Sequence, residues 1–351
     1  MFDKLRFIWF VAIGLILSLC LSCGVKPELA KKFQIDSVSV PNNLYLPDRL
    51  DFRIAVISDL NSQYGSTEYE PEVKQAIALI RQWQPDLVLC GGDAIAGQKK
   101  SLTKTQIESM WTAFDRHIAQ PLRQDKIPFG FTIGNHDGSS AIKEQNFIFQ
   151  QERELARAYW MKHQQELGLN FIDRANYPFY YSFEQNDIFF LVWDASSHNL
   201  SDTQLEWIKT ALKSEKARQS KTKIVIGHLP LYPIARDKNK PGEYLARGDE
   251  LRSLLQQNRV QMYISGHHHA YYPGKIAELQ LLHAGALGQG ARQLMRGNLA
   301  PEPTITIVDL ELATSQATYT TYNAQTWNLI DIEKLPKSIT GNGGNILRHD
   351  L

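Results

Sequence analysis

Val260-Gln261-Met262-Tyr263-Ile264-Ser265-Gly266-His267-His268-His269 runs from an apolar segment straight into three consecutive histidines. Packing alone gives little reason for such a run. In an extended or turning segment alternate side chains share a face, so His267 and His269 are expected to face one point and His268 another. Two imidazoles on one side make half of a site for zinc, iron or manganese. The plain alternative is a polar loop rich in histidine, and the rest of the chain decides between the two.

The same arrangement, a short apolar run followed at once by a residue able to bind metal, occurs five times. Phe52 to Ser58 leads to Asp59, and Asp86 to Gly92 leads to Asp93. Phe129 to Gly134 leads to Asn135, His136 and Asp137, Lys223 to Gly227 leads to His228, and Gln261 to Ser265 leads to the histidines. Apolar runs of this length, rich in Val and Ile and without strict alternation, suit strands buried on both faces.

Helical spacing lies between them. Glu70 to Trp83 carries Val73, Ile77 and Ile80; Ser101 to Ile118 has Ser101 or Thr103 as a cap; Asp202 to Leu212 follows the N-cap Ser201; Gly248 to Gln256 is shorter. Strands alternating with helices predict an α/β fold with ligands at the carboxyl ends of strands. From Tyr180 the signal turns to strand, through Ile188–Trp193 and Leu279–His283 to a terminal hairpin of Thr304–Leu310 and Gln316–Tyr322. The expected division is a signal segment over 1–23, a linker and lead-in over 24–50, a main domain over 51–325 and a tail over 326–351. Gly341-Asn342-Gly343-Gly344-Asn345 reads as flexible.

With 351 residues, 43% hydrophobic and 21% charged, the chain can bury a sizeable core. A formal charge of +1 leaves no basic footprint for nucleic acid. Lys4 and Arg6 precede the apolar run Phe7–Leu21, as in a secretory signal. Leu21-Ser22-Cys23-Gly24 resembles a bacterial lipoprotein processing site with Cys23 as the lipidated residue, although Cys20 stands where an aliphatic residue is usual. Cys20-Leu21-Ser22 also fits ordinary cleavage, and an uncut anchor is a third reading, although the run is shorter than the roughly 20 residues a spanning helix prefers. All three export the chain to the periplasm or cell envelope. Cys90, the one cysteine beyond that segment, reads as a small buried hydrophobe.

Asp59, Asp93, Asn135, His228, His267 and His269 form a carboxylate, amide and imidazole set without thiolate, suited to manganese, iron or zinc. Six ligands exceed the needs of one catalytic ion. Two ions about 3.5–4 Å apart, sharing a carboxylate, would use them all, activating water between them and clamping a phosphate oxygen.

The order Asp59…Gly91-Gly92-Asp93…Gly134-Asn135-His136-Asp137…Gly227-His228…Gly266-His267-His268-His269 resembles the calcineurin-like metallophosphoesterase superfamily, in its purple acid phosphatase and 3',5'-cyclic nucleotide phosphodiesterase-like branch. The resemblance implies a four-layer α/β/β/α sandwich carrying two divalent or trivalent metal ions (Mn, Fe or Zn). It implies hydrolysis of a phosphomonoester or phosphodiester by a metal-bridging hydroxide, with no covalent enzyme intermediate. Asp93 would bridge, Asn135, His228 and His267 would complete one shell, and Asp59 and His269 would serve the other ion. His136 would act at the leaving-group oxygen, with Asp137 orienting its ring. One departure stands out. The first motif is Asp59-Leu60-Asn61, with Asn61 where the family usually has histidine. Purple acid phosphatases also lack that histidine but use a tyrosine three residues after the bridging aspartate, and that position here is Ala96. Asn61 is then a weaker ligand, with Tyr64 nearby as a helper, and a non-catalytic envelope protein with a degenerate first metal site is the alternative.

Of the remaining residues, His268 is expected on the substrate side or in solvent. His117 and His163 are expected at the surface, and His198 and His283 at the surface or behind ligands. Tyr232, Tyr271 and Tyr272 either line the pocket or pack. Gly285 to Arg292 is either a flexible turn or a loop whose Arg292 meets a substrate phosphate. The substrate is a phosphate ester in either reading of the bond cleaved, and the N-terminus supplies the membrane contact.

Overall fold

The computed structural model describes residues 40–42, 44–341 and 344–351, so the signal segment and residues 24–39 of the lead-in lie outside the described residues. In chain order the first strands are β1 (Phe52–Ile57), β2 (Leu87–Cys90), β3 (Phe129–Phe131), β4 (Ile142–Lys143), β5 (Asn146–Phe147), β6 (Asn170–Asn176), β7 (Tyr180–Gln185) and β8 (Ile188–Val192). Then come β9 (Thr222–Ile226), β10 (Met262–Ser265), β11 (Tyr272–Ile276), β12 (Leu279–His283), β13 (Thr304–Glu311), β14 (Gln316–Asn323), β15 (Ser338–Gly341) and β16 (Gly344–Arg348). All five runs that precede a candidate ligand are strands.

Two large sheets result. One has the order β14-β13-β1-β2-β3, and the other β15-β16-β11-β12-β10-β9-β8-β7-β6. Their centres are parallel, β1 with β2 and β2 with β3 in the first, and β8, β9, β10 and β12 in the second. Parallel centres put the ligand-bearing ends of β1, β2 and β3 along one edge of the first sheet, and those of β9 and β10 together in the second.

Side-chain alternation sets the layers. In β8, Ile188, Phe190 and Val192 join the core shared with the first sheet, whereas Phe189 and Leu191 join a second core with the helices Asp202–Leu212 and Gly248–Gln257. Phe52 of β1 meets Phe190 across the sheets, with ring centres 6.4 Å apart. On the other side, Pro71–Trp83 and Lys104–Phe114 bury Val73, Ile77, Ile80, Ile107 and Trp111. The order is helix, sheet, sheet, helix. Thr103 is the cap of the Lys104–Phe114 helix, accepting from Gln106 N while Gln106 reaches back to Thr103 N.

The chain end differs from expectation. Residues 326–351 carry the β15–β16 hairpin, and β16 pairs with β11 at the sheet edge. Ile339 and Ile346, opposite each other in the hairpin, are fully buried, and Gly341 pairs with Gly344 beside the reversal. Gly341 and Gly344 of the run read as a flexible tail are thus paired strand residues, and two apolar residues dock the hairpin. β6 and β11 were also not anticipated as elements, whereas His163 lies in a helix, Gln150–His163, as its polar, helical surroundings suggest.

Candidate metal centre

Each candidate ligand stands just past a strand, where the chain turns. Asp59, Asp93, His267 and His269 all adopt left-handed backbone, with φ of 51°, 53°, 65° and 53°. For a non-glycine residue this conformation costs about 1–2 kcal/mol. Such strain gathered in one place marks a site whose geometry the surrounding structure enforces. The enforcement is visible in the backbone: Asp59 N donates to Gly92 O at 2.9 Å, Leu60 N to Asp93 O at 2.9 Å, and Gly266 N to His228 O at 3.0 Å. Gly266 has no room for a side chain, because a Cβ there would lie 2.0 Å from Ser58 Oγ.

One half of the site gathers four ligand atoms. His228 Nε2 lies 3.0 Å from Asn135 Oδ1, 3.3 Å from Asp93 Oδ2 and 3.3 Å from His267 Nδ1. The opposite edges of these side chains are taken. His228 Nδ1 is 2.8 Å from Gly91 O, His267 Nε2 is 2.9 Å from Glu243 Oε2, and Asn135 Nδ2 donates to Gln98 Oε1 at 2.8 Å. A carbonyl or carboxylate can only accept, so with an ion bound each imidazole would carry its proton on the outer nitrogen and turn a lone pair inward.

The other half is built from Asp59, Asn61 and His269. His269 Nε2 is 3.2 Å from Asp59 Oδ1, and its Nδ1 faces Gly290 O at 3.1 Å. Asp59 also accepts from Ser58 Oγ at 2.6 Å and from His267 N at 3.1 Å to each oxygen. Asn61 is buried, and its amide nitrogen donates to Ile95 O at 3.2 Å. Asp93 reaches toward both halves, and ligand atoms of Asp59, Asp93 and His228 lie within 4.8 Å of one another.

Electrostatically the centre calls for positive charge. Asp59 and Asp93 are buried, and among the described residues their ion-pair partners are histidines. Burial raises Asp93, but the His228 and His136 imidazoles and the His136 N–H outweigh it and hold the carboxyl well below its usual range. Burial likewise lowers His228, yet the Asp93 carboxylate and then Asp59 bring it up to about 9. Two buried carboxylates, three imidazoles whose outer nitrogens face acceptor oxygens and an amide oxygen fit hard-to-borderline cations such as manganese, iron or zinc.

His136 lies beside this set, with its Nε2 3.9 Å from Asp93 Oδ2 and its ring stacked on Tyr64 at 5.1 Å and 14°. Burial lowers its pKa below the usual histidine value against the pull of Asp93. Asp137 does not orient that ring, contrary to expectation. Its two oxygens accept from Ile95 N at 2.9 Å and Gly134 N at 2.8 Å. Asn135–Gly138 is a turn of helix, so consecutive side chains diverge, and Asp137 points back to bind the loop that begins it. Burial and Asp93 push Asp137 up to about 7. Tyr64 is about half exposed, and its ring stacks on His136.

His268 is also corrected. It is fully buried, with Ile234 N donating to its Nδ1 at 3.2 Å and its Nε2 facing Glu243 O at 2.9 Å. Alternation turned it away from His267 and His269 as predicted, but into the second core rather than toward substrate. Tyr232 and Tyr272 are packed, and burial brings His283 down to about 4. The glycine-rich loop neither swings freely nor offers its N–H groups to an anion. Leu287 N, Gly288 N and Gln289 N donate to Ser58 O, Asp59 O and Asn61 O at 2.9, 2.9 and 3.3 Å. Arg292 N holds His269 O at 3.0 Å, and its guanidinium is 3.8 Å from Asp237. Gln98 and Glu243 were missed as partners of ligands. No spacing rule points to them, since each arrives from a long loop.

The calcineurin-like phosphoesterase family model matches residues 52–271, well over half of the chain. The chain belongs to the calcineurin-like phosphoesterase family. Among curated relatives of this family member, a probable purple acid phosphatase 20 of Arabidopsis thaliana is 21% identical over 226 residues, covering 64% of this chain and 47% of its own length. Purple acid phosphatase 23 of the same plant is 24% identical over 276 residues, covering 71% and 55%. The chain thus spans about half the length of these relatives. Among solved structures, purple acid phosphatase PPD1 from yellow lupin (Lupinus luteus) seeds superposes with a TM-score of 0.56 at 15% identity, over 82% of this chain and 54% of that one. GAP50, described as the anchor in the inner membrane complex of Plasmodium, gives 0.51 at 12%, over 80% and 87%. Both likenesses speak to the fold, and the α/β sandwich expected of a metallophosphoesterase is the one observed.

Proposed function

We propose that this phosphoesterase family member is an exported, metal-dependent hydrolase of a phosphomonoester or phosphodiester. The observation that carries the reading is the convergence of Asp93 Oδ2, Asn135 Oδ1, His228 Nε2 and His267 Nδ1, with an acceptor oxygen at the outer nitrogen of each imidazole. Asp93, Asn135, His228 and His267 would hold one ion, and Asp59, His269 and Asp93 the other, with Asn61 a weak ligand at most. Bound there, the ions supply Lewis acidity toward a phosphoryl oxygen and lower the pKa of water.

The chain's own groups do the rest. His136, whose proton affinity burial lowers against the pull of Asp93, places Nε2 beside Asp93, where it exchanges a proton or hydrogen bond with the leaving-group oxygen. Tyr64 supports its ring face. Asp137 keeps the Gly134–Gly138 turn in place, so its contribution is positional. Arg292, engaged with His269 O and near Asp237, is at most a peripheral contact to substrate.

Export rests on Lys4, Arg6 and the apolar Phe7–Leu21 run, and anchoring on Cys23 as a lipidated residue, placing the catalytic domain (51–325) in the periplasm or envelope. Among the described residues, no helix is long and apolar enough to cross a membrane.

The test is hydrolysis of chromogenic phosphomonoester and phosphodiester substrates by the full-length chain, stripped of metal and resupplied with Mn, Fe, Zn or Mg. Metal-restored turnover on either substrate supports the enzyme and picks the bond type. One observation favours a second reading: the Asn61 amide nitrogen is tied to Ile95 O, where the family usually has a ligating histidine. Bound metal without turnover on any ester would turn the assignment to a non-catalytic envelope metal-binding protein.

A further inference from the structure

The loop that follows His228 returns to the centre at Glu243. Its carboxylate lies 2.9 Å from His267 Nε2 and accepts from Lys238 Nζ at 2.7 Å, with Lys240 Nζ 3.8 Å from the second oxygen. Its backbone oxygen faces His268 Nε2 at 2.9 Å, and Ile234 N closes the other side of that ring. One residue therefore grips two consecutive histidines, His267 through its side chain and His268 through its main chain.

We propose that Glu243 is the positioning residue that fixes His267 in its Nε2–H tautomer and sets the affinity of the ion held by Asn135, His228 and His267. This rests on the metal-centre reading above. An imidazole can present only one lone pair. If the proton sat on Nδ1, His267 would turn an N–H toward His228 Nε2, and the shell would lose a ligand. The carboxylate is an obligate acceptor, so it holds that proton on Nε2 and makes Nδ1 the basic atom. Lys238 sits 3.5 Å from His267 Nε2, too far for a good hydrogen bond, and its 2.7 Å contact to Glu243 balances the charge. His268, buried behind, is the peg that keeps Glu243 in reach.

The experiment compares wild type, E243A, E243Q and K240A as full-length chains. Zn²⁺ affinity is measured by competition with a chromogenic chelator, and the His267 tautomer by ¹⁵N shifts of histidine-labelled, metal-stripped protein. E243A is expected to weaken the tighter Zn²⁺ step about 10–100-fold and to let His267 populate both tautomers. E243Q, which keeps an acceptor oxygen and guards against misfolding of the alanine variant, is expected to recover most of both. K240A is expected to match wild type. Wild-type affinity and an unchanged tautomer in both Glu243 variants would overturn the proposal. Zn²⁺ binding that depends on Glu243 in a protein without esterase activity would refute the activity and leave the assignment standing. A wild-type chain that binds no Zn²⁺ would overturn both.

Discussion

The two halves of the centre share Asp93 and little else. The Asn135–His228–His267 half is assembled from both sheets, and its ligands are backed by Gln98, Gly91 and Glu243. The Asp59–His269 half leans on main chain and a single hydroxyl, with Gly290 O behind His269 and Ser58 behind Asp59. It also has an amide, Asn61, in the position of an imidazole. A ligand whose outer edge is held loses less freedom when it binds an ion, so the better-backed half is expected to bind more tightly. Each half contains one amide, Asn135 in the first and Asn61 in the second, but the better-backed half joins its amide to two imidazoles and the other to His269 alone.

The largest test removes what the halves share. D93A is expected to abolish binding of both ions and to lower kcat/KM by at least about 10³-fold, or ~4 kcal/mol in the barrier. Steady-state kinetics with elemental analysis of the same sample checks it. Retention of either ion at wild-type affinity would show that Asp93 does not join the two sets.

Next come single-half variants. On dialysis against chelator, wild type and H269A are expected to keep one ion per chain at a chelator strength that empties H228A. The reverse order would invert the comparison. H228A should also lose turnover by orders of magnitude, because both remaining shells then share a poorly filled centre.

A smaller effect is expected behind Asp59. Gly288 approaches the main chain so closely that a Cβ would sit 2.6 Å from Asn61 O and 2.7 Å from Leu60 O. G288A must push the loop outward, disturbing Gly288 N–Asp59 O and, two residues on, Gly290 O behind His269. We expect a stability loss of about 1–3 kcal/mol, read by urea denaturation, and a weakening confined to the second Zn²⁺ step of a titration. A weakening of the first step instead would mean that the loop supports both halves.

How much of this could be read beforehand follows from what each feature depends on. Strands β1, β2, β3, β9 and β10 were legible because runs such as Ile54–Ile57 are buried on both faces, and local composition records that. The convergence of Asp59, Asp93 and His228 was legible because each follows an apolar run whose strand end meets the others at one edge of the sheets. Glu243 and Gln98 were not, since their partners lie 24 and 37 residues away and nothing local marks the contact. Asp137 was misread because motif adjacency suggested a partner for His136, whereas helical turning sends the carboxylate to Ile95 and Gly134. The chain end was misread because its glycines dominate the pattern, while Ile339 and Ile346 carry the docking.

The smallest effect, and the one that most directly sharpens the comparison, is expected from N61H. Asn61 is buried within the loop that passes Asp93, with its own N–H on Asp93 O at 3.2 Å. An imidazole there would exchange a weak amide ligand for a strong one, at the expense of the bond to Ile95 O. If ligand identity limits this half, the second Zn²⁺ step should tighten by about 10-fold, near 1.4 kcal/mol, with the first step unchanged. If support limits it, the added imidazole depends for its orientation on Ile95 O, which now holds a shorter amide at 3.2 Å, and the affinity will barely move. Isothermal titration of wild type and N61H with Zn²⁺ separates the two, since only the first makes the halves more alike.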